Sequence, residues 1–323
     1  MKAYFVQSTE RGTTLELREL PQPQPAAGKL LVRVRAASLN RGEFIRAHGL
    51  NAGLTKPGAA KPAGTDGAGE VVGSGKRVMG RLPGAFGEYA LMDEPDAIAV
   101  PDNLSWEEAA AVPITFLVVY DMLVQQGRLQ PNEWLLITGV SAGVGVAALL
   151  AAKAIGARVV GTSGSAGKLE ALKRHGLDVG IATRTPDFHD AVMKATDGKG
   201  VNLVVNNVGG SVFAETIRVL AYEGRHATVG YVDGVLESRI DLEALHAKRL
   251  KLFGVSNKLR TAAQRAVTVQ GFTRDWLPLF AGGKLKPLVD RVYDFADLPK
   301  AVERMEADAH VGKIGRASCR ERV

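Results

Sequence analysis

The chain has 323 residues, of which 46% are hydrophobic and 23% charged, and its formal net charge is +7. No apolar run approaches the ~20 residues of a membrane-spanning helix, and MKAYFVQSTE shows no secretion signal, so we expect a cytoplasmic protein without membrane contact. The single cysteine, Cys319, lies in a basic, unpatterned stretch, which leaves the body without a disulfide or a cysteine zinc site. No dense Lys/Arg block with interleaved aromatic residues is present, so nucleic acid is not an expected partner.

The first 130 residues show the alternating apolar pattern of short β-strands. The clearest period-2 segment is KLLVRVRA at residues 29–36, and glycine turns separate the strands that follow. This close spacing predicts a compact, barrel-like β domain. The pattern becomes helical at Ser105, which forms a capping-box sequence with Glu108, and Pro113 should divide the helical stretch in two.

Residues 134–168, WLLITGVSAGVGVAALLAAKAIGARVVGTSGSAGK, predict a strand, a glycine turn, a helix and a second strand. The free N–H groups at the start of such a helix bind a pyrophosphate. The residues predicted to do so are Ser141, Ala142, Gly143 and Val144. The alternative is a βαβ turn with a structural role only.

Short apolar strands and helices continue to alternate as far as Ser256, which is typical of a doubly wound parallel sheet. Within this stretch, residues 214–224 (AETIRVLAYEG) are predicted to be a helix and residues 224–230 a strand. Helical pattern returns after Arg260, and a last strand and helix follow. Four residues at the ends of the later strands are candidates for cofactor binding at the carboxyl edge of the sheet: Gly209, Gly230, Phe253 and Val255. The alternative is that they only terminate the strands.

The second strand of the βαβ unit is not followed by a carboxylate until Glu170. An NAD site usually carries Asp or Glu there to bind the ribose, and that charge would repel a 2′-phosphate. Ser163 and Lys168 stand in its place, which favours NADPH as the cofactor. The alternative for Lys168 is an ordinary surface lysine at the start of a helix.

Seven segments between residue 1 and about residue 314 carry a family resemblance. They are SLNRGEFIRAHG, KPAGTDGAGEVV, AFGEYALM, PDNLSWEEAAAVPITF, GVSAGVG, VNLVVNNVGG and HVGKI. With them, the chain resembles the zinc-free quinone oxidoreductase branch of the medium-chain dehydrogenase/reductase superfamily. The resemblance implies an α/β protein with a Rossmann domain and a GroES-like, β-rich catalytic domain built from both chain ends. It also implies NADPH, hydride transfer to a quinone, an enone or another activated carbonyl in an interdomain cleft, and a homodimer.

From the resemblance we expect residues 1–124 and 260–314 to form the catalytic domain and residues 125–259 the Rossmann domain. Residues 315–323 are set aside as a non-native or disordered tail.

The resemblance also assigns roles to single residues. Zinc-dependent members place Cys near Asn40 and His in the segment that reads Gly64-Thr65-Asp66 here, so no metal is expected. Asn40 becomes the candidate catalytic donor to a substrate carbonyl or to the nicotinamide ribose, with a loop-capping Asn as the alternative. Glu43 matches a family acid or is a structural salt-bridge partner. Arg184 matches a position that helps to hold the phosphate, with an ordinary surface arginine as the alternative.

The resemblance extends to the glycine turn with one change, because Ala142 replaces a family glycine. The replacement is tolerable if its φ is negative. Two alternatives to quinone reduction remain open: reduction of a 2-alkenal or enoyl double bond, and a crystallin-like or RNA-binding protein that keeps the fold without turnover.

Overall fold

A computed structural model describes residues 1–9, 12–44 and 59–317. These residues form two compact units, one made of residues 1–117 together with 260 onward, and one made of residues 118–259. The first unit therefore contains both ends of the described chain. The division falls at 117/118, inside a helix, rather than at the expected 124/125.

The helices and strands follow one another along three segments of the chain. Those of the first segment are β1 (Lys2–Thr9), β2 (Gly12–Glu19), β3 (Lys29–Ser38), α1 (Arg41–Phe44), β4 (Lys61–Pro62), β5 (Asp66–Val71), β6 (Arg77–Arg81), β7 (Tyr89–Asp93), β8 (Ile98–Ala99), α2 (Trp106–Ala110) and α3 (Pro113–Tyr120), which crosses into the second unit. Those of the second unit are β9 (Trp134–Thr138), α4 (Gly143–Ile155), β10 (Arg158–Ser163), α5 (Ala166–Lys173), β11 (Val179–Ala182), α6 (His189–Ala195), β12 (Val201–Asn206), α7 (Gly210–Arg218), β13 (Leu220–Thr228), α8 (Leu242–Ala247) and β14 (Lys251–Gly254). The chain returns to the first unit with α9 (Ala262–Asp275), α10 (Leu277–Ala281), β15 (Val289–Tyr293), α11 (Leu298–Glu306) and β16 (Lys313–Ala317).

The first unit contains two sheets. A three-stranded sheet has the order β2-β1-β4, and a seven-stranded sheet has the path β15-β16-β3-β5-β6-β8, with β7 also paired to β3. Strand β16 lies antiparallel to β3, with Gly315 opposite Ser38, so both chain ends build one sheet. Residues 315–317 are paired strand and therefore not disordered, and residues 318–323 lie outside the described chain.

The second unit is a six-stranded sheet in the order β11-β10-β9-β12-β13-β14, and every strand pair in it is parallel. Numbered within the unit, this is the order 3-2-1-4-5-6 of the Rossmann fold. The central strands β9 and β12 are short, almost entirely buried runs of Leu, Ile and Val, as expected for strands covered on both faces. Helix α4 ends at Ile155, and Gly156, with a φ of +94°, forms its left-handed C-terminal cap.

Several local predictions are confirmed. The capping box between Ser105 and Glu108 forms, and Pro113 begins α3 after α2 has ended. The predicted helix over residues 214–224 is wrong at its end, because α7 stops at Arg218 and β13 begins at Leu220. Pairing of Leu220 with Val201 of β12 extends the buried sheet, and that tertiary contact outweighs the helical pattern. No helix in residues 1–9, 12–44 and 59–317 is long and apolar enough to cross a membrane.

Candidate functional site

The glycine turn lies between β9 and α4, where it was predicted. Gly139 has a φ of +64°, and the N–H of Val140 donates to the carbonyl of Thr162 on β10 at 2.9 Å. A Cβ added at Gly145 would lie 2.5 Å from the carbonyl oxygen of Gly139, so the first turn of α4 packs directly on the loop. Only glycine allows this approach.

The start of α4 has no side-chain cap. Its N-cap residue is Ala142, with φ −72° and ψ 163°, and among the residues that the structure describes no side chain caps the helix. The negative φ confirms that alanine is tolerated at this turn. Free N–H groups and the positive end of the helix dipole make this a site for an anion such as a pyrophosphate.

Helix α7 also starts after a glycine, but its first turn is already occupied. The carboxylate of Asp233 accepts from the backbone N–H of Ser211 at 2.9 Å and from its hydroxyl. One Asp233 oxygen lies 2.1 Å from where a Gly209 Cβ would be, so Gly209 is required to admit Asp233. Of the two helix starts, only that of α4 presents N–H groups not engaged by a side chain, and Gly209 serves a structural contact.

Two hydroxyls meet at the carboxyl end of β10. The Oγ atoms of Ser141, in the glycine turn, and Ser163, at the end of β10, are 3.2 Å apart, and Ser163 also accepts from the N–H of Ser165. Ser165 in turn caps α5 by accepting from the N–H of Lys168 at 3.3 Å. The structure therefore brings together three predicted cofactor residues at one edge of the sheet.

Arg184 follows β11 and reaches the same loop, with its side chain against the backbone of Gly164. Gly230 follows β13 and Phe253 lies in β14, while Val255 is buried and donates its N–H to the carbonyl of Thr228. These residues all follow or end strands at the carboxyl edge of the parallel sheet, the edge where open α/β sheets bind ligands.

A buried polar network that the sequence did not indicate joins β9 to β12. Thr138 donates its hydroxyl to Asn206 Oδ1 at 3.0 Å, and Asn207 donates its side-chain amide to the carbonyl of Thr138 at 3.1 Å. Asn206 Oδ1 also accepts from the N–H of Gly209. This network holds the ends of two central strands in register next to the glycine turn.

In the first unit, Asn40 is fully engaged as a donor. Its Nδ2 donates to Thr65 Oγ1 at 2.9 Å and to Asp66 Oδ1 at 2.8 Å, and its Oδ1 accepts from Lys313 Nζ at 2.7 Å. An amide nitrogen has two hydrogens. Asn40 therefore has no hydrogen left for a ligand while these bonds persist.

Asp66 and Lys313 are buried charges on β5 and β16. Asp66 Oδ1 accepts from Ser38 Oγ at 3.1 Å, and Lys313 Nζ donates to the carbonyl of Leu39 at 3.0 Å. Burial raises the pKa of Asp66, and the charge of Lys313 opposes that shift. Burial likewise lowers the pKa of Lys313, and the charge of Asp66 opposes it.

Glu43, in α1, completes this cluster. Its carboxylate accepts a short hydrogen bond from the N–H of Gly64 and one of 3.4 Å from Thr65 Oγ1. Burial raises the pKa of Glu43 to about 7, and the hydrogen bond from Gly64 opposes the shift. Glu43 therefore changes its protonation state near neutral pH.

Lys313, Asp66 and Ser38 are site residues that sequence reasoning missed. A signal was present, since Lys313 lies between glycine and isoleucine in the segment HVGKI and Asp66 begins a glycine-rich stretch. A charged residue in an apolar strand implies a buried partner. Nothing local identifies which partner, because 273 positions separate Lys313 from Asn40.

The order of the parallel sheet, the open start of α4 and the β-rich unit built from both chain ends define a two-unit dinucleotide-dependent dehydrogenase or reductase of the medium-chain type. Residues 143–268 match the family model described as zinc-binding dehydrogenase. This match over part of the chain, together with the whole-chain likeness to the solved structures below, confirms the predicted superfamily, the Rossmann domain and the GroES-like domain.

Two solved structures illustrate the likeness over the whole chain. The quinone oxidoreductase of Thermus thermophilus, whose structure is known with NADPH, is 27% identical with a TM-score of 0.80, covering 98% of this chain and 100% of that one. The quinone oxidoreductase of Pseudomonas syringae pv. Tomato is 26% identical with a TM-score of 0.82, covering 98% and 100%.

Curated relatives include much longer proteins. A phenolphthiocerol/phthiocerol polyketide synthase protein of Mycobacterium tuberculosis is 33% identical over 309 residues, which are 93% of this chain, but the chain spans only 14% of that relative. The human synaptic vesicle membrane protein VAT-1 homolog is 29% identical over 93% of this chain and 81% of its own length.

Proposed function

We propose that the protein is an NADPH-dependent reductase that transfers hydride to quinones or other activated carbonyls without a catalytic zinc ion. One observation carries the proposal. The carboxyl edge of the parallel sheet combines an uncapped helix start with a hydroxyl pair and an arginine, and no carboxylate follows β10 before Glu170. This arrangement favours two separate anionic groups, a pyrophosphate and a ribose 2′-phosphate.

The residues present fit NADPH. The first N–H groups of α4, which follow Ser141 and Ala142, would hold the pyrophosphate. Gly145 lets the loop pack closely against this first turn of the helix. Ser163, Lys168 and Arg184 would hold the 2′-phosphate. The likeness to a quinone oxidoreductase whose structure is known with NADPH supports the same cofactor. Gly230, Phe253 and Val255 remain candidates for the nicotinamide end.

The family description names zinc, but the donor set in the first unit does not fit a catalytic zinc ion. Among residues 1–9, 12–44 and 59–317, no group of three His, Cys, Asp or Glu side chains is placed to hold a metal. Asn40 has committed its amide, and Asp66 Oδ1 already accepts from Asn40 and Ser38. The proposed reaction therefore involves no metal step.

When bound, the reduced cofactor supplies a hydride, and the carbonyl oxygen of the substrate then needs a proton. Glu43 is our candidate for its source, because its pKa of about 7 leaves it partly protonated near neutral pH. A protonated Glu43 donates to Thr65 Oγ1, which frees the Thr65 hydroxyl hydrogen for a ligand. An ionised Glu43 instead draws that hydrogen toward itself. Thr65 is thus the proposed immediate donor: its hydroxyl hydrogen would pass to the substrate oxygen while the proton of Glu43 passes to Thr65 Oγ1, which leaves Glu43 ionised.

Asn40 receives a different role from the one expected from the resemblance. With both hydrogens given to Thr65 and Asp66, it orients the Thr65 hydroxyl and offers a ligand only the remaining lone pair of Oδ1. We therefore propose Asn40 as a positioning residue.

A homodimer remains part of the proposal. Strand β14 lies at the edge of the six-stranded sheet, and Leu252 on it is 37% exposed. An exposed strand edge favours pairing with a second copy. Light scattering coupled to size exclusion measures the mass in solution, and a monomer at every concentration would contradict this part.

The test of the function has two stages. Fluorescence titration should show NADPH binding at least about tenfold more tightly than NADH, as expected for one lost charge-assisted contact. NADPH oxidation is then followed by absorbance with 1,2-naphthoquinone and, separately, with a short 2-alkenal. Preference for the alkenal would favour the double-bond reductase. Tight NADPH binding without turnover of either would favour the non-enzymatic alternative, and a salt-sensitive RNA affinity would support it further.

A further inference from the structure

The side-chain amide of Asn40 lies between a buried cation and a buried anion. Its oxygen, Oδ1, is 2.7 Å from Lys313 Nζ, and its nitrogen, Nδ2, is 2.8 Å from Asp66 Oδ1. Both charged side chains are almost completely removed from water, so their charges are poorly screened. Each polar end of the amide therefore faces a charge of the opposite sign.

The hydrogen-bonding chemistry of these two groups determines which way the amide points. A lysine ammonium only donates and an ionised carboxylate only accepts, so oxygen must face Lys313 and nitrogen must face Asp66. Burial raises the pKa of Asp66, and the charge of Lys313 and the hydrogen bonds that the carboxylate accepts oppose that shift. Turning the amide around would set donor against donor and acceptor against acceptor in a buried site, where unmade hydrogen bonds are costly.

The direction of the amide decides where the Thr65 hydroxyl hydrogen can point. Asn40 Nδ2 gives its second hydrogen to Thr65 Oγ1 at 2.9 Å. The hydroxyl has a single hydrogen, and because its oxygen accepts from Asn40, that hydrogen must point elsewhere. A reversed amide would instead present Oδ1 to Thr65 and take this hydrogen. Thr65 is half-buried, unlike the two charged residues, so its hydroxyl lies at the more accessible end of the cluster.

We propose that Asp66 and Lys313 are positioning residues for the reduction: their opposite charges hold the Asn40 amide with its nitrogen toward Thr65, which keeps the Thr65 hydrogen available to the substrate oxygen. The inference rests on the proposed function, in which Thr65 is the immediate proton donor, and deepens it. Neither charged residue needs to contact the substrate, since Asn40 transmits their effect. The pair also gives up no proton itself, because the hydrogen leaves Thr65 and is replaced from Glu43.

The first test compares Asn40→Asp with Asn40→Ala, using kcat for the reduction of 1,2-naphthoquinone below pH 7. Aspartate has the shape of asparagine but supplies at most one hydrogen, which the neighbouring Asp66 carboxylate takes. An oxygen then faces Thr65 and accepts its hydroxyl hydrogen, as a reversed amide would, so kcat should fall by about 100-fold. Alanine leaves that hydrogen unclaimed, so Asn40→Ala should lower kcat less. An Asn40→Ala protein as slow as Asn40→Asp, or slower, would overturn the inference.

The second test removes both charges together, because Lys313→Met alone leaves Asp66 buried without a counter-charge. The double variant Asp66→Asn with Lys313→Met has no unpaired charge here, so urea unfolding should show most of the stability lost in Lys313→Met restored. The amide can then turn, and kcat should stay at least about fivefold below that of the unmodified protein, the shift that one neutral hydrogen bond supports. NADPH affinity, from fluorescence titration, should be unchanged. Recovery of kcat together with stability would show a purely structural pair and overturn the inference.

Thr65→Val provides a matched background, because valine keeps the shape of threonine without the hydroxyl. In this background, Asn40→Asp and the double variant should have no further effect on kcat. Further losses there would show that the pair does not act through Thr65 and would refute the inference. If the unmodified protein reduces neither 1,2-naphthoquinone nor a short 2-alkenal, the proposed function fails together with the inference. Normal turnover by the unmodified protein, combined with any of the contrary results above, refutes the inference alone.

Discussion

His226 on β13 should make the stability of the second unit depend on pH. Its Nε2 lies 3.0 Å from Thr216 Oγ1, and that hydroxyl donates its only hydrogen to the carbonyl of Phe213 at 2.6 Å. Nε2 must therefore carry the ring proton and donate to Thr216. Nδ1 is left as a buried acceptor without a hydrogen-bond partner among the described residues. A second proton there would create a buried charge with nothing to accept it.

The size of the effect follows from the pKa. Burial lowers the pKa of His226 from 6.5 to about 4. The unfolded chain therefore binds one more proton than the folded chain between these values, and stability falls as pH falls. The linkage relation puts the loss at about 2 kcal/mol by pH 5 and about 3 kcal/mol once pH is below 4, with none above pH 7.

The assay is urea unfolding between pH 8 and pH 5, with His226→Gln as the comparison. Glutamine does not titrate, so the difference in free energy of unfolding between the two proteins isolates His226 from every other group. His246→Gln, at an exposed position, is the control and should track the unmodified protein. Free energies for the unmodified protein and His226→Gln that stay parallel from pH 8 to pH 5 would refute the reasoning.

Three further predictions concern the two sites. Gly145→Ala drives a Cβ against the carbonyl of Gly139; it should cost about 1–3 kcal/mol in urea unfolding and weaken NADPH binding, and an unchanged affinity would contradict the proposed contact. Lys313→Met leaves Asp66 as an uncompensated buried charge, so it should lower the free energy of unfolding by about 3–5 kcal/mol in urea. A loss under about 1 kcal/mol would show that Asp66 and Lys313 are not a buried pair. Because the pKa of Glu43 is about 7, kcat/KM should fall as pH rises through that value. Glu43→Gln should lower kcat/KM and flatten its pH profile, while the affinity for NADPH stays constant. If the pH profile of Glu43→Gln still falls near pH 7, Glu43 is not the proton source.

The second unit was largely predictable because its signals are local. Strands β9 to β14 are short apolar runs, and the strand–turn–helix order at residues 134–155 specifies where the glycine turn must lie. The failure at residues 220–224 has the same origin. Their helical pattern is also local, but Leu220 and Arg225, at either side of the stretch, pair with Val201 and Leu203 of β12 and carry it into the sheet.

Side-chain roles were less predictable, since they depend on contacts between distant segments. The resemblance made Asn40 a donor to the substrate, and the structure commits both of its hydrogens to Thr65 and Asp66. Gly209 stays a predicted cofactor residue, and the structure adds that its missing side chain admits Asp233 at the start of α7. A short motif read alone does not reveal that its donors and acceptors already bond to residues far away in the sequence.

By itself, the sequence determined the fold class, the position of the glycine turn and the absence of an acid after β10, because residue periodicity and glycine spacing are read over a few neighbouring positions. Only the tertiary structure decided that Lys313 orients Asn40, that burial brings the pKa of Glu43 to about 7, and that Arg184 lies over Gly164. Each of these depends on which strands become neighbours and on how deeply a charge is removed from water. Both are set by the packing of the whole chain rather than by any short stretch of it.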